Sequence, residues 1–410
     1  MSRSYAIQPG DTFDIVARKQ YGDDQKADLI RQSNPGATEP LVAGQTLVVP
    51  NDPAAAARPA GNTAASSPNE VAISIKGERF RFWVDVTITQ AIDTVSTVEF
   101  TAPFTPDDPA FREKFRPFAY NDVDIDIGNG QLFTGTMLPP TPSTGPTART
   151  VAVACYGRPG VLGDCTAPAS AYPIEWNEAT LATIAEKCAA FFGLGVQFDA
   201  DTGAAFQRVS LAAGRKVLTF LSDLAAQRGL VMSDTPGGKL LFRKAVETGT
   251  PVANFTEGSS PLLGVQPMFS GRDYFSHVTG ISPTIIGLAG TQFTVTNARL
   301  ADAVRPYTFD SQDMLDADVQ TSVDSKMGRM FAAAVSYEVS VSTWRDPQGE
   351  LWAPNTLVTL LAEGAMVYSR STFLIRSVTL SKTPKSETAV LNLILPGSLA
   401  GKVPTVLPWD

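Results

Sequence analysis

The sequence predicts a mainly β protein of the α+β class, in which a small N-terminal module precedes a longer, strand-rich body. Segments of alternating apolar and polar residues recur from Val71 to the end of the chain, and helical periodicity is confined to shorter stretches. Residues 51–69 separate module and body, because they consist mostly of Ala, Pro and small polar residues and bury too little surface to order. The 410 residues also exceed what one hydrophobic core usually holds.

The N-terminal module has the predicted order strand, helix, helix, strand. Pro9-Gly10 turns the chain after the strand Tyr5–Ile7, and Thr12 can cap the first helix. The second helix ends near Asn34-Pro35, and Thr46–Val49 forms the last strand. The module is therefore a compact βααβ unit.

The first part of the body is predicted to be strand. The alternating segments are Val71–Ile75, Arg81–Thr89, Asp122–Gly128 and Thr150–Gly157. Asn129-Gly130 is a hairpin signal. Three carboxylates, Asp122, Asp124 and Asp126, alternate with Val and Ile, so they point to one side of their strand. They form either a cation site or the solvated face of a half-buried strand.

The middle of the body is predicted to mix helices and strands. One helix begins behind Asn177, interpreted as its N-cap, and a second helix stops at Gly229 before a hairpin that turns at Pro236-Gly237-Gly238. From about residue 262 strands return, interrupted by one amphipathic helix. The predicted inward residues of the three helices are Leu181, Ile184, Ala185, Cys188, Phe191, Phe192, Val217, Phe220, Leu221, Leu224, Ala225, Val319, Val323, Met327, Met330 and Phe331.

Charge and cysteine content limit the possible functions. The formal net charge of −8 argues against direct phosphate binding, which requires a surplus of Lys and Arg. Cys155, Cys165 and Cys188 are odd in number and lack metal-type spacing, so we expect free, mostly buried thiols in a chain folded in the cytoplasm. No secretory signal and no run of about 18 apolar residues is present, so we expect no membrane contact.

Catalytic chemistry finds little support in the sequence. The single histidine, His277, lies inside an alternating segment, and no Gly-flanked serine accompanies it. One histidine and three scattered cysteines do not supply a zinc site, and Gly237-Gly238-Lys239 lacks the spacing of a phosphate loop. A pair of carboxylates, as in lysozyme-like hydrolysis, is harder to exclude. We predict a protein that is not an enzyme and has no cofactor and no metal.

The N-terminal module resembles the LysM family over residues 5–50, through GDT, YG, NP and GQxLxxP at matching spacings. The resemblance implies binding of glycans that contain N-acetylglucosamine. The matching positions are Gly10, Asp11, Thr12, Asn34 and Pro35. The same residues can instead shape turns and cap helices, and the sequence leaves both roles open.

The body, over about residues 70–400, resembles the baseplate hub proteins of Mu-type contractile phage tails, related to the late control D family. The ordered set of segments from YGRPGVLGDCTAP (156–168) to TAVLNLILP carries the resemblance, and LWAPNTLV with Trp352, Pro354 and Asn355 is its most specific part. The implied architecture is a LysM module (1–50), a flexible linker (51–69), a first tube-like β-barrel (70–160), a mixed α/β domain (161–250), a second tube-like β-barrel with a helix (251–396) and a C-terminal tail (397–410).

The resemblance also implies a function. Three chains would form a ring that adapts the sixfold tail tube to the threefold spike, in the tail baseplate of a virion made in the bacterial cytoplasm. Expected partners are a homotrimer, the tail tube protein, the spike protein, other baseplate proteins or the tape measure, and possibly peptidoglycan through LysM. DNA would only pass through the channel, whose acidic lining would prevent sticking; Asp122, Asp124 and Asp126 are candidates to face it.

Two alternatives remain at this point. One is a LysM-targeted peptidoglycan hydrolase, and the other is the hub of a tailocin-type injection machine, which shares its parts with a phage hub. Seven aromatic residues are candidates for either the core or an interface: Trp83, Phe104, Phe111, Phe115, Phe118, Trp344 and Trp352.

Overall fold

The computed structural model describes residues 3–8, 11–21, 27–49, 68–145, 149–282, 290–300, 302–310 and 316–410. The chain divides into two compact units, residues 1–68 and 69–410. As predicted, the fold is mainly β with large antiparallel sheets. No helix in the described ranges is long and apolar enough to span a membrane.

The N-terminal unit contains two strands and two helices: β1 (Arg3–Ala6), α1 (Phe13–Tyr21), α2 (Ala27–Ser33) and β2 (Thr46–Val49). The two strands pair antiparallel. Its small core consists of apolar side chains spaced three or four apart on the helices and two apart on the last strand, and includes Phe13, Val16, Ile30, Leu47 and Val49. Residues 51–67 of the predicted tether lie outside the described residues.

The second unit contains a first β-region, residues 71–157. Its elements are β3 (Val71–Ile75), β4 (Glu78–Phe80), β5 (Asp85–Ala91), β6 (Thr97–Pro103), α3 (Pro109–Lys114), β7 (Asp122–Ile127), β8 (Gly130–Met137), β9 (Thr141–Thr144) and β10 (Arg149–Gly157). Strands β7 and β8 form the hairpin that Asn129-Gly130 predicts.

A middle region, residues 158–245, follows. Its helices and strands are α4 (Val161–Asp164), β11 (Glu175–Ala179), α5 (Leu181–Ala190), β12 (Val196–Phe198), β13 (Phe206–Ser210), α6 (Val217–Gln227), β14 (Val231–Asp234) and β15 (Leu240–Arg243). The predicted cap of the first long helix is wrong. Asn177 lies in β11 opposite Arg208, and the cap is Thr180, whose Oγ1 accepts from the N–H of Thr183 at 3.2 Å.

The second β-region, residues 253–394, completes the unit. Its elements are β16 (Ala253–Thr256), β17 (Leu262–Phe269), β18 (His277–Ile281), β19 (Gln292–Thr296), β20 (Pro306–Asp310), α7 (Asp316–Ala334), β21 (Val335–Val341), β22 (Leu357–Ala362), β23 (Val367–Lys382) and β24 (Glu387–Ile394). Strands β18 to β20 form a separate three-stranded sheet that packs on α7. Short 3₁₀ turns connect several of the elements of this unit.

One sheet, antiparallel except where β16 pairs parallel with β22, runs through both β-regions. Its strand order is β17-β21-β24-β23-β5-β6-β10-β8-β7-β3-β4, with β9 pairing β10 and β16 pairing β22 at the side. The two regions meet where β5 pairs with the second half of β23, from Ala91 opposite Ser377 to Val86 opposite Lys382. A single apolar core therefore extends under both regions.

The two β-regions are structural duplicates. In the first region the strand order is β5, β6, β10 and then β8 continued by β9. The second region has the order β17, β21, β24 and β23, with the same strand directions. In both regions the long strand shifts register by one residue, between Met137 and Thr141 in one and between Ile375 and Ser377 in the other. No residue-level repeat accompanies this correspondence, because the shared pattern consists of apolar and polar alternation alone.

Most of the aromatic candidates lie in the core. Trp344, Trp352 and Phe115 are buried, whereas Phe118 is 74% exposed. The indole N–H of Trp352 donates to the Thr343 carbonyl at 2.8 Å. Asn355 has a φ of +71°. Its side chain accepts from the Val246 N–H and donates to the Lys244 carbonyl, and so fixes the segment that follows the middle region. The LWAPNTLV segment thus ties the middle region to the second β-region.

Candidate assembly and channel surfaces

The shared sheet has one apolar and one polar face. Side chains toward the core are Val, Ile, Leu, Phe and Tyr, whereas those on the other face are mostly small or hydroxyl-bearing. Thr89 and Thr379 lie opposite each other across the junction, with their hydroxyl oxygens 3.1 Å apart. The polar face comprises Thr87, Thr89, Thr97, Thr101, Thr150, Ala152, Ala154, Ser336, Ser340, Ser377, Thr379, Ser381, Thr388, Val390 and Asn392.

Two glutamates occupy equivalent positions on this polar face. Glu99 lies opposite Ala154, and Glu338 lies opposite Asn392. Ala154 and Asn392 are each the fifth residue after the first residue of their strand. One arginine, Arg376, lies at the bulge of β23 between core-facing Ile375 and Ser377 of the polar face, and it is paired with Asp93 at 2.9 Å. The glutamates therefore give the face periodic negative charge.

Both outer edges of this eight-strand part of the sheet lack a neighbour among the described residues. Strand β17 pairs only with β21, and β9 pairs only with β10. Apolar side chains are exposed on β17, with Leu263 at 61% and Phe269 at 49%. Free strand edges with exposed apolar residues are templates for pairing with another chain.

The two ends of the sheet differ. At one end, called the hairpin end, Thr144 of β9 pairs with Arg149 of β10 and Lys382 of β23 pairs with Glu387 of β24, so both strand pairs are joined across four residues. At the other end the first region makes the turn 92–96 and the β7–β8 hairpin, while the second carries the insertion 270–334 with its three-stranded sheet and α7. The middle region and the C-terminal tail also leave from this second end. The β9–β10 and β23–β24 connections at the hairpin end therefore repeat within the chain, whereas the middle region, the insertion and the tail at the other end occur once per chain.

A half-buried carboxylate fixes the middle region to the first β-region. Asp234, at the end of β14, accepts from the backbone N–H and the hydroxyl of Ser96 at 2.7 and 2.8 Å. Burial raises the pKa of Asp234 in spite of these bonds. A Cβ on Gly157 would lie 2.0 Å from the Asp234 Oδ2 atom, so a side chain there would displace the Asp234 carboxylate.

The residues predicted to bind a glycan are largely occupied by the fold of the N-terminal unit. Asp11 is 5% exposed and accepts from the Tyr5 hydroxyl and the Gln8 N–H, both at 2.8 Å. The Thr12 Oγ1 atom accepts from Ile15 N–H, as a helix cap does.

Asn34 also has a structural role. Its side chain bonds the Ile30 carbonyl and both backbone groups of Val48, each at 2.7 Å, and so ties the end of α2 to β2. Pro35 is exposed, and Gly10 lies outside the described residues.

The single histidine does not sit in an open site. The His277 Nδ1 atom is 2.9 Å from the Ser276 hydroxyl, and Ser276 is fully buried. That hydroxyl also accepts from the Arg305 N–H at 2.9 Å. A serine nucleophile here would have no approach for a substrate.

The three aspartates of β7 point to the polar side of the sheet, as the alternation predicts, because Val123, Ile125 and Ile127 are buried. Asp124 accepts from the Thr134 hydroxyl, and Asp122 lies 3.5 Å from Arg158. Within the described ranges no group of three His, Cys, Asp or Glu residues is arranged to hold a metal ion.

The three cysteines are free thiols, as predicted, and Cys155 and Cys188 are buried. Burial raises the pKa of both, for Cys188 to about 12. These two thiols therefore pack as small apolar groups.

Comparison with known proteins supports a phage-tail origin of this fold. Residues 159–244 match the family described as baseplate hub protein gp44-like, second domain. The chain is 25% identical over 309 residues to the baseplate hub protein gp44 of Escherichia phage Mu, covering 71% of this chain and 79% of that protein.

Two solved structures share the fold. The 43 kDa tail protein of prophage MuSo2 from Shewanella oneidensis has a TM-score of 0.68 at 23% identity, over 80% of this chain and 99% of its own. The tail protein from Neisseria meningitidis MC58 has a TM-score of 0.68 at 17% identity, over 81% and 98%. The sheet-bearing unit thus has a phage tail protein fold, and its relatives are Mu-type baseplate hub proteins, which confirms this part of the sequence-based resemblance.

Proposed function

We propose that this chain is the structural hub of a contractile-tail baseplate and acts as a homotrimer in the virion tail. The duplicated sheet is the observation that carries the proposal. Each chain supplies two equivalent β-regions, joined edge to edge by β5 and β23. If each region is one tube-like barrel, three chains supply six barrels, and a threefold ring acquires pseudo-sixfold symmetry.

The difference between the two ends of the sheet suits an adapter. We assign the hairpin end, repeated twice per chain, to the sixfold tail tube. The end that carries the middle region, the insertion and the C-terminal tail is built once per chain, and we assign it to the threefold spike. The same arrangement would serve a tailocin-type injection machine.

The polar face of the sheet is proposed to line the channel through which DNA passes. Hydroxyl groups hydrate without charge, and the glutamates repel phosphate, so neither feature retains a polyanion. In a trimer, Glu99 and Glu338 would form six carboxylates at one level of the channel.

The oligomeric state tests the hub proposal. We expect mass photometry to give a particle of about 130 kDa, three times the 43.6 kDa chain, and negative-stain images to show a ring with a central hole. Because obligate rings bury large interfaces, the trimer should persist at micromolar concentration. A monomer at that concentration, both alone and after mixing with tube and spike proteins, would refute the ring.

We also propose that the N-terminal unit is a LysM module. Its support is the sequence motif together with the strand-helix-helix-strand order, β1 to β2. Asp11, Thr12 and Asn34 serve the fold, so a glycan would be bound through backbone groups and exposed side chains such as Pro35. The other proposed partners of the module are a neighbouring baseplate protein and the tape measure.

A pull-down with insoluble peptidoglycan tests this role. We expect the full chain to be retained several-fold more than a chain that lacks residues 1–67. The shortened chain keeps Asn69, whose side chain donates to Glu387 at 2.5 Å and accepts from Arg345 at 2.8 Å, so the sheet-bearing unit stays intact. Equal retention of the two chains would assign the module to a protein partner.

A further inference from the structure

The two free edges of the sheet match the junction that the chain already makes within itself. Inside one chain, β5 pairs with the second half of β23. The structural equivalent of β5 is β17, and the equivalent of that half of β23 is β9. Both equivalents are free edges among the described residues.

We propose that β17 of one chain pairs antiparallel with β9 of the next chain, in the register of the internal junction. This inference rests on the proposed ring and names its contact. Carrying the register of the internal junction over to the equivalent residues of β17 and β9 places Gln266 opposite Ser143 and Met268 opposite Thr141. These pairs repeat Thr87 opposite Ser381 and Thr89 opposite Thr379.

The directions of the backbone groups agree with this pairing. Ser270 donates its N–H to the Ala334 carbonyl on the β21 side, and N–H directions alternate along a strand. The N–H groups of Val265 and Phe269 therefore point to the free edge. The internal junction has the same arrangement, because the N–H of Ile92 points toward β23 and donates to the Arg376 carbonyl.

Two prolines fall opposite each other in this register. Pro267 and Pro142 take the places of Ile88 and Leu380. Neither has an N–H, and Pro140, which falls opposite Phe269 in this register, lacks one as well, so the junction is without these three donors. In the free chain the same prolines weaken both edges as templates for unrelated strands.

Exposed apolar side chains also indicate a covered edge. Leu263, Met268 and Phe269 are 61%, 45% and 49% exposed on β17 in a single chain. A partner strand with small residues, as in Thr141–Thr144, would cover this edge without crowding the polar face. The neighbouring copy supplies such a strand.

Cysteine cross-linking tests the register. Gln266 and Ser143 form a non-hydrogen-bonded pair in the proposed junction, where Cα atoms lie about 4.5 Å apart and a disulfide fits. We expect Gln266→Cys with Ser143→Cys, in a Cys165→Ser background, to give mostly covalent dimers and trimers on a non-reducing gel. Reduction should return the monomer band.

Two control pairs accompany this experiment. Thr89→Cys with Thr379→Cys should form the same bond within a chain and leave its mass unchanged. Gln266→Cys with Thr141→Cys is displaced by two residues, about 7–8 Å, and should cross-link far less. A trimer in mass photometry without the expected cross-link, or equal cross-linking by the displaced pair, would overturn this register while leaving the hub standing. A monomer would overturn both.

Discussion

Replacing Glu99 and Glu338 by lysine is expected to turn a ring that does not hold DNA into one that does. In the proposed trimer the double variant exchanges six carboxylates at one level of the channel for six ammonium groups. Contacts with about six phosphates make binding strongly salt-dependent, so we expect affinity for a short linear duplex to fall about 10³-fold between about 50 and 200 mM salt. Fluorescence anisotropy measures this dependence.

The control for this experiment moves the same charges to the outside. Glu186→Lys with Glu350→Lys makes an equal change at two exposed positions away from the polar face. A covalently closed circular duplex adds a second control, because it does not thread through a closed ring. If the outer variant binds linear DNA as well as the inner one does, or if the inner one binds circles equally, the polar face does not line the channel.

Gly328→Ala is expected to lower the free energy of unfolding, although alanine normally stabilises a helix interior by about 0.5–1 kcal/mol over glycine. Gly328 lies within α7, where a Cβ would be 2.1 Å from the Ser398 carbonyl oxygen and 3.0 Å from the Gly401 Cα. Both neighbours are backbone atoms, and the Ser398 hydroxyl is bonded to the Leu395 carbonyl at 2.8 Å. Overpacking of this kind costs about 1–3 kcal/mol.

Thermal unfolding and limited proteolysis check this prediction. The variant should melt at a lower temperature and lose residues 395–410 to protease sooner than the parent chain, because α7 holds the C-terminal tail. Gly237→Ala is the matched control, since a Cβ there has no atom within 4 Å, and its effect should stay within about 0.5 kcal/mol. A higher melting temperature for Gly328→Ala would contradict the tight contact between α7 and the tail.

Local patterns predicted many elements well. The alternation around Asp122, Asp124 and Asp126 gave the correct faces of β7, and the second long helix stops before Gly229, whose φ is +64°. The N-cap at Asn177 was wrong because the strand β11 intervenes and its pairing with β13 outweighs the local capping preference of asparagine. Thr180 was the better capping signal. It lies four residues before the buried Ile184, whose N–H donates to the Thr180 carbonyl.

The sequence analysis did not predict that Glu99 and Glu338 occupy equivalent positions. Each follows an apolar residue in an alternating segment, which looks like any solvated strand position. Their equivalence depends on pairing between strands far apart in the chain, and no pattern within either strand reports it. A comparison of TVEFTA with SYEVSV, once both strands are known to be equivalent, would have indicated the match.

By itself the sequence determined the mainly β class, the hairpin at Asn129-Gly130, the free thiols and the resemblance to Mu-type hub proteins. These follow from side-chain periodicity, turn chemistry and segment order, which are local properties of the chain. Only the tertiary structure decided that the two β-regions are duplicates, that β5 and β23 join them, and that β9 and β17 have no second partner strand within the described part of the chain. The physical reason is that strand pairing is made by backbone groups common to all residues, so the partner of an edge is set by geometry rather than by the letters of either strand.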